Sequence, residues 1–181
     1  MRNLELKARL ADLGRAEAAA RALGASYGGD LYQLDTYFAV ATGRLKLRET
    51  GGESAELVFY DRPEDAPTRF SDYFKGLVAE PAKVREVLSR ALGVRAQVEK
   101  TRRLYLFRGA RIHLDRVTDL GAFLEFEVPV EGDDAEAARA TMRELMEALE
   151  VGEGDAIAAS YGEMVAAGAG GRPLAAGGPA V

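Results

Sequence analysis

The chain has 181 residues, with 24 Lys and Arg against 29 Asp and Glu, a formal charge of -5, and 48% hydrophobic positions. That is enough for one well-buried domain and short for two. The acidic balance argues against a general nucleic-acid binder, and no apolar run is long enough to cross a bilayer or serve as a signal-peptide core. A cytoplasmic protein without a membrane partner is expected. With no cysteine there are no disulfides or thiolate metal sites, and the single histidine, His113, argues against a zinc site built from imidazoles. Any bound metal is expected to rely on oxygen ligands.

Residues 3 to 10 alternate strictly, with Leu4, Leu6, Ala8 and Leu10 on one face and Asn3, Glu5, Lys7 and Arg9 on the other, which predicts a first strand. Asp12 suits the N-cap of an alanine-rich helix over 13–23, and Gly24 its left-handed C-terminal end. Alternating runs then follow at Tyr32 to Ala39, Arg44 to Glu49 and Glu56 to Arg62. They are separated by Thr42-Gly43 and Gly51-Gly52, which read as hairpin turns. Pro81 opens a helix whose apolar positions Val84, Val87, Leu88 and Leu92 have helical spacing, and Gly93 closes it. Strands return at Val98 to Arg108, Arg111 to Val117 and Phe123 to Val130. A long helix to about Glu150 follows, capped by Asp133 or Asp134, with Met142, Leu145, Met146 and Leu149 as its buried stripe. A short helix around Ile157 to Val165 precedes a Gly, Ala and Pro tail, 167–181, too poor in bulk to order itself.

Seven or eight strands, each polar on one face and apolar on the other, predict an α+β fold. They can close into a barrel with amphipathic helices over its apolar exterior, or form an open sheet whose charged face is merely solvated. Arg44, Lys46 and Arg48 share one face of one strand at roughly 7 Å spacing, a repulsive row unless an anion lies against it. Lys100 and Arg102 repeat the device, and Tyr60 with Arg62 ends a third strand on one face. Glu5, Glu125 and Glu127 place acids on the same charged side. Two readings stand: carboxylates that neutralise these cations, or oxygen ligands to a divalent ion beside a phosphate site.

Several segments, in order, resemble the CYTH superfamily, named for the class IV bacterial adenylyl cyclase and thiamine triphosphatase. Asn3-x-Glu5-x-Lys7 is similar to its Glu-x-Glu-x-Lys signature. Gln33-Leu34-Asp35-Thr36-Tyr37-Phe38, Gly43-Arg44-Leu45-Lys46-Leu47-Arg48, Lys100-x-Arg102, Arg111-Ile112-His113-Leu114-Asp115 and Phe123-Leu124-Glu125-Phe126-Glu127 continue it to about Glu163. The resemblance implies an eight-stranded antiparallel β-barrel over residues 1–166, a triphosphate tunnel open at both ends and dependent on Mg2+ or Mn2+. It assigns Lys7, Arg44, Lys46, Arg48, Arg62, Lys100 and Arg102 to the triphosphate oxygens, and Glu5, Asp115, Glu125 and Glu127 to the metal, with Lys7, Glu5 and Arg48 as catalytic groups. A homodimer is also implied, although no interface stripe is evident.

One departure is Asn3, where the signature has an acid. An amide cannot act as a base or compensate metal charge, which puts a second metal position in question. From the residues alone, Asp115 is either a metal ligand or a salt-bridge partner of Arg111 or Arg116. His113 is a proton relay or a hydrogen-bonded structural group, and Tyr161 closes the tunnel or simply packs. The implied function is metal-dependent hydrolysis of a triphosphate such as ATP, inorganic triphosphate or thiamine triphosphate. The alternatives are cyclisation of ATP to cyclic AMP and pyrophosphate, and a non-catalytic sensor of polyphosphate or a phosphorylated metabolite.

Overall fold

The computed structural model describes residues 1–52, 54–61, 68–130, 132 and 135–168. In chain order the elements are β1 (Arg2–Arg9), α1 (Leu13–Ala22), β2 (Ser26–Phe38), β3 (Arg44–Thr50), β4 (Ser54–Asp61), β5 (Arg69–Leu77), α2 (Pro81–Leu92), β6 (Val94–Phe107), β7 (Ala110–Val117), β8 (Gly121–Pro129), α3 (Ala135–Ala148), a 3-10 turn (Glu153–Asp155) and α4 (Tyr161–Gly168). The strands are all antiparallel and close into a barrel in the order β1-β5-β4-β3-β2-β6-β7-β8.

The period of two seen in the sequence decides which face is which. Leu4, Leu6 and Ala8 of β1, Ile112 and Leu114 of β7, and Leu124, Phe126 and Val128 of β8 face outward. They pack under Ala16 and Ala20 of α1 and Ala138, Met142 and Leu145 of α3. A second cluster puts Phe38, Leu47 and Ala55 beneath Val84 and Leu88 of α2. Val87 and Leu92 of the predicted α2 stripe are exposed, so this helix covers the barrel with Val84 and Leu88, two of its four predicted apolar positions. The Asp12 carboxylate accepts from the backbone N–H groups of Gly14 and Arg15 at 2.8 and 3.1 Å, the N-cap the sequence predicts. Gly51 and Gly52, at φ 57° and 74°, make the β3–β4 turn in conformations that favour glycine. Asp133, Asp134 and the tail from 169 onward lie outside the described residues, and α4 runs to Gly168, two residues into the segment assigned to the tail.

Two elements differ from the sequence reading. Strand β5 was not anticipated, because Asp72 and Gly76 interrupt the face that carries Phe70 and Phe74, leaving no clean alternation. It pairs with β1 through Glu5↔Arg69 and with β4 through Tyr60↔Tyr73, and so supplies the contact that closes the barrel. Strand β2 begins at Ser26 rather than Tyr32, since Gly29 at φ 116° accommodates a register shift that breaks the pattern there.

Downstream of α3 the chain crosses one end of the barrel. Ala8 bridges Ala156, Ile157 N–H donates to the Lys7 carbonyl at 2.7 Å, and α4 begins only at Tyr161. Tyr37, Val98, Val117, Phe123 and Tyr161 form a third apolar cluster at this junction. Gly162 lies so close to Tyr37 that a Cβ would stand 2.8 Å from the ring. Gly162→Ala is therefore expected to destabilise the protein by about 1–3 kcal/mol, read as a lower urea midpoint. An unchanged midpoint would show that α4 can lift off the ring freely. No helix among the described residues is long and apolar enough to cross a membrane.

Candidate functional site

The inward faces of the strands enclose a cavity of about 510 Å3, within the usual range for small-molecule sites. Its wall carries Lys7, Lys46, Arg48, Lys100, Arg102, Arg111, Glu5, Glu125 and Glu127, and toward the uncovered end Met1, Leu31, Val58, Tyr73 and Leu104. The charged row that repels itself along one strand is thus wrapped into a ring around one space.

On one side of the cavity three cations converge on a single carboxylate. Asp35, fully buried, accepts from Lys46 at 3.1 Å, from Lys100 at 2.9 Å and from both Nε and Nη2 of Arg48 at 2.8 and 2.7 Å. Burial pushes the Asp35 carboxyl up, but Arg48, Lys100 and Lys46 outweigh it and hold it well below the usual carboxylate range. The lysines fare worse, because one anion is shared three ways. Burial, offset by Asp35 but reinforced by the neighbouring guanidinium groups, lowers Lys100 to about 7, and burial followed by Arg48 lowers Lys46 to about 8. The cluster has an excess of positive charge that an entering anion would relieve.

This arrangement fixes the sign of a pH effect. The unfolded chain keeps lysines protonated to about pH 10, so between pH 7 and 9 it binds more protons than the folded protein, and folding grows more favourable as pH rises. The penalty for charging Lys100 and Lys46 is fully present below their folded values and is relieved above them. Urea unfolding of the ligand-free protein should therefore show a midpoint that climbs from pH 7 to 9, and Lys100→Met should flatten the climb. A midpoint that falls across this range, or a slope untouched by the substitution, would contradict the shared-anion account.

On the other side lies a carboxylate group with its own cations. Arg102, buried, donates to Asp115 at 2.7 and 2.6 Å and to Glu125 at 2.6 Å. Lys7 Nζ lies 3.4 Å from Glu125, and Arg111 donates to Glu127 at 2.9 Å. His113, Glu125 and Glu127 bring three potential ligand atoms within 4.8 Å of one another. Burial pushes both glutamates up, but Lys7, His113 and Arg102 hold Glu125 well below the usual carboxylate range, and His113 and Arg111 hold Glu127 at about 2. Both therefore stay ionised, while burial and then Arg102 lower the His113 imidazole and favour its neutral form, so all three groups have the protonation a metal requires.

The covered end is fastened through backbone carbonyls and an ion pair. Arg69 donates to the carbonyls of Ala158 and Ile157 at 2.8 and 2.7 Å, Lys7 donates to that of Ala159 at 3.3 Å, and Arg44 forks onto Glu163 at 3.1 and 2.8 Å. Tyr161 donates its hydroxyl to Asp115 at 2.9 Å, meets Phe123 edge-on at 5.1 Å, and offers its ring face to the Lys7 ammonium at 4.1 Å. It both packs and bounds the cavity.

With this geometry in place, the comparison that decides the family is a match of the CYTH domain model to residues 1–161. The chain belongs to the CYTH family. No curated protein matches it in sequence. Among solved structures, the PH1012 protein of Pyrococcus horikoshii superposes with a TM-score of 0.81 at 22% identity, covering 90% of this chain and 99% of that one. A Vibrio parahaemolyticus protein described as a candidate adenylate cyclase gives 0.71 at 17% identity, covering 90% and 96%. The Hippeastrum protein HpAC1, described as a candidate adenylyl cyclase with a dominant triphosphatase activity, gives 0.60 at 14% identity, covering 82% and 88%. At such identities the likeness is one of fold.

In this CYTH barrel most residues assigned from the sequence face one cavity. Lys7, Lys46, Arg48, Lys100 and Arg102 line it together with Glu5, Glu125 and Glu127. Arg44 sits instead at the covered end, against Glu163, and Arg62 lies outside the described residues. Asp115 engages Arg102 and Tyr161 rather than Arg111 or Arg116, and stands outside the group formed by His113, Glu125 and Glu127. The tunnel expected to be open at both ends is crossed at one of them by residues 157–163. Asp35 is the principal residue not assigned a role beforehand, although it sits in a recognised segment. Its registers with Arg48 on β3 and Val98 on β6 place it among the cations of both strands. Arg69, Ser71 and Tyr73 were missed with β5 itself. Asn3 is buried and faces the cavity, so the neutral amide occupies the site rather than its margin.

Proposed function

We propose that the barrel binds the triphosphate chain of a small molecule together with Mg2+ or Mn2+, and that it hydrolyses that chain. The observation that carries this reading is the convergence of Lys46, Arg48 and Lys100 on the one Asp35 carboxylate, which leaves cationic charge for phosphate oxygens to satisfy. The donor set opposite fits a divalent ion: ionised Glu125 and Glu127, and a His113 Nδ1 that is buried without a hydrogen-bond partner. When bound, the ion would neutralise phosphate charge and polarise a phosphoryl oxygen.

The protein's own contribution is positional and electrostatic. Lys46, Arg48 and Lys100 hold one part of the chain on the Asp35 side, while Lys7 and Arg102 reach it from the carboxylate side. Phosphoryl transfer asks chiefly for such positioning and for cations where charge develops on the departing oxygen. Glu5, on the cavity wall and in register with Arg69 and Glu127, is the carboxylate placed to orient an attacking water. Glu5 can also accept the proton that the attacking water gives up, which the Asn3 amide cannot. Among the described residues, the end of the cavity away from residues 157–163 is lined by Leu31, Val58, Tyr73 and Leu104 beside the Lys75–Glu56 pair. That mixed apolar and charged rim suits an organic group with polar substituents beyond the triphosphate.

Phosphorus NMR after incubation with Mg2+ or Mn2+ and, separately, ATP, inorganic triphosphate and thiamine triphosphate tests this reading. Orthophosphate release, abolished by a chelator, is expected. Pyrophosphate with cyclic AMP would replace it by the cyclase reading, and binding without turnover of any of the three by a sensor.

A further inference from the structure

The His113 imidazole has a feature that phosphate chemistry does not account for. Its Nδ1 is buried and has no hydrogen-bond partner, although two carboxylates stand beside it. The separations are 3.7 Å to Glu125 and 3.6 Å to Glu127. Both exceed hydrogen-bond length by about half an ångström. They are close to the roughly 3.0–3.4 Å that separates neighbouring ligands on one ion with bonds of about 2.1 Å. The backbone dictates this placement, since His113 pairs with Glu125 across β7 and β8 and Glu127 follows two residues along the same face.

We infer that His113 Nδ1, Glu125 and Glu127 form a mixed nitrogen and oxygen site that favours divalent transition ions over Mg2+: Co2+ and Zn2+ most, and Mn2+ to a smaller degree. The inference rests on the proposal that the cavity holds a divalent ion, and it assigns that ion's chemical class. Imidazole nitrogen suits ions further along the first-row series, whereas Mg2+ dehydrates reluctantly and keeps to oxygen. This proposal differs from the all-oxygen set expected from the sequence, since a single imidazole suffices when its neighbours are two ionised carboxylates. The site is also crowded by cations. Arg102 and Lys7 flank Glu125, and Arg111 flanks Glu127. An ion entering alone meets their repulsion, and a triphosphate that draws Lys7 and Arg102 toward its own oxygens lifts it. Metal and triphosphate should therefore bind more tightly together than apart.

Electron-spin-echo spectroscopy of bound Mn2+, alone and with inorganic triphosphate frozen directly after mixing, tests the assignment by a readout that does not depend on turnover. Nitrogen modulation is expected in the wild-type protein and should vanish in His113→Gln. The same substitution should weaken Co2+ binding roughly 10- to 100-fold while changing Mg2+ binding by less than about 3-fold. Bound Mn2+ without nitrogen modulation in the wild-type protein overturns the imidazole assignment and leaves the metal-bound triphosphate site standing. Absence of bound Mn2+ in both states overturns both. The wild-type spectrum decides the matter even if His113→Gln folds poorly.

Discussion

Arg48→Ala is expected to lower kcat/KM for phosphate release from a triphosphate by about 10²–10³, or roughly 2.7–4 kcal/mol of transition-state stabilisation, while leaving the fold nearly as stable as before. Arg48 presents its fork to Asp35 and its remaining surface to the cavity. Its deletion still leaves Asp35 with Lys46 and Lys100, so no buried charge is stranded. Removing the guanidinium also relieves Lys46, for which Arg48 is the chief repulsive neighbour. Stability and activity should therefore separate. Arg48→Lys, which keeps the charge but loses the planar fork, should recover only part of the lost rate, because one ammonium cannot both hold Asp35 as the fork does and offer further donors to phosphate oxygens. Steady-state kinetics beside urea unfolding for both variants decide it. If Arg48→Ala loses activity only in proportion to folded protein, Arg48 is a structural cation and not a ligand of the substrate.

What could be read in the chain followed local regularity. β1 and β3 are legible because every second residue is polar, most of them charged, and α1 because Asp12 precedes an alanine-rich run. β5 is not, since the residues that close the barrel, from Arg69 to Leu77, alternate in direction without alternating in polarity. The same limit applies to the site. That Arg44, Lys46 and Arg48 need an anion follows from their spacing alone. That the resident anion is Asp35 depends on β2 lying between β3 and β6, a long-range pairing that no short pattern encodes. A sharper reading was nevertheless available: Asp35 alternates with Gln33 and Tyr37, which marks an acid on the inner face of a strand otherwise poor in charge. Closure of the tunnel by Tyr161 is one of the two readings that the sequence leaves open, but the part of the cover before it carries no such sign, because Arg69 and Lys7 hold residues 157–159 through backbone carbonyls, which have no side-chain signature.

Asp35→Asn should behave in the opposite way to Arg48→Ala, with its largest effect on the fold. The amide is nearly isosteric but neutral, so Lys46, Arg48 and Lys100 would face one another in a buried space without their shared counter-ion. Breaking such a buried group commonly costs about 3–5 kcal/mol. Here the loss should be larger at pH 7 than at pH 9, because the two lysines can shed their protons as pH rises and Arg48 cannot. An added polyanion should take the place of the lost carboxylate, so inorganic triphosphate is expected to raise the melting temperature of Asp35→Asn by more than that of the wild-type protein. The comparison isolates the cluster's electrostatics from its packing, since Asn fills the same volume. A loss below about 1 kcal/mol at both pH values would mean that the three cations are already screened by solvent. A full loss without rescue would mean that triphosphate binds elsewhere than on the Asp35 side of the barrel.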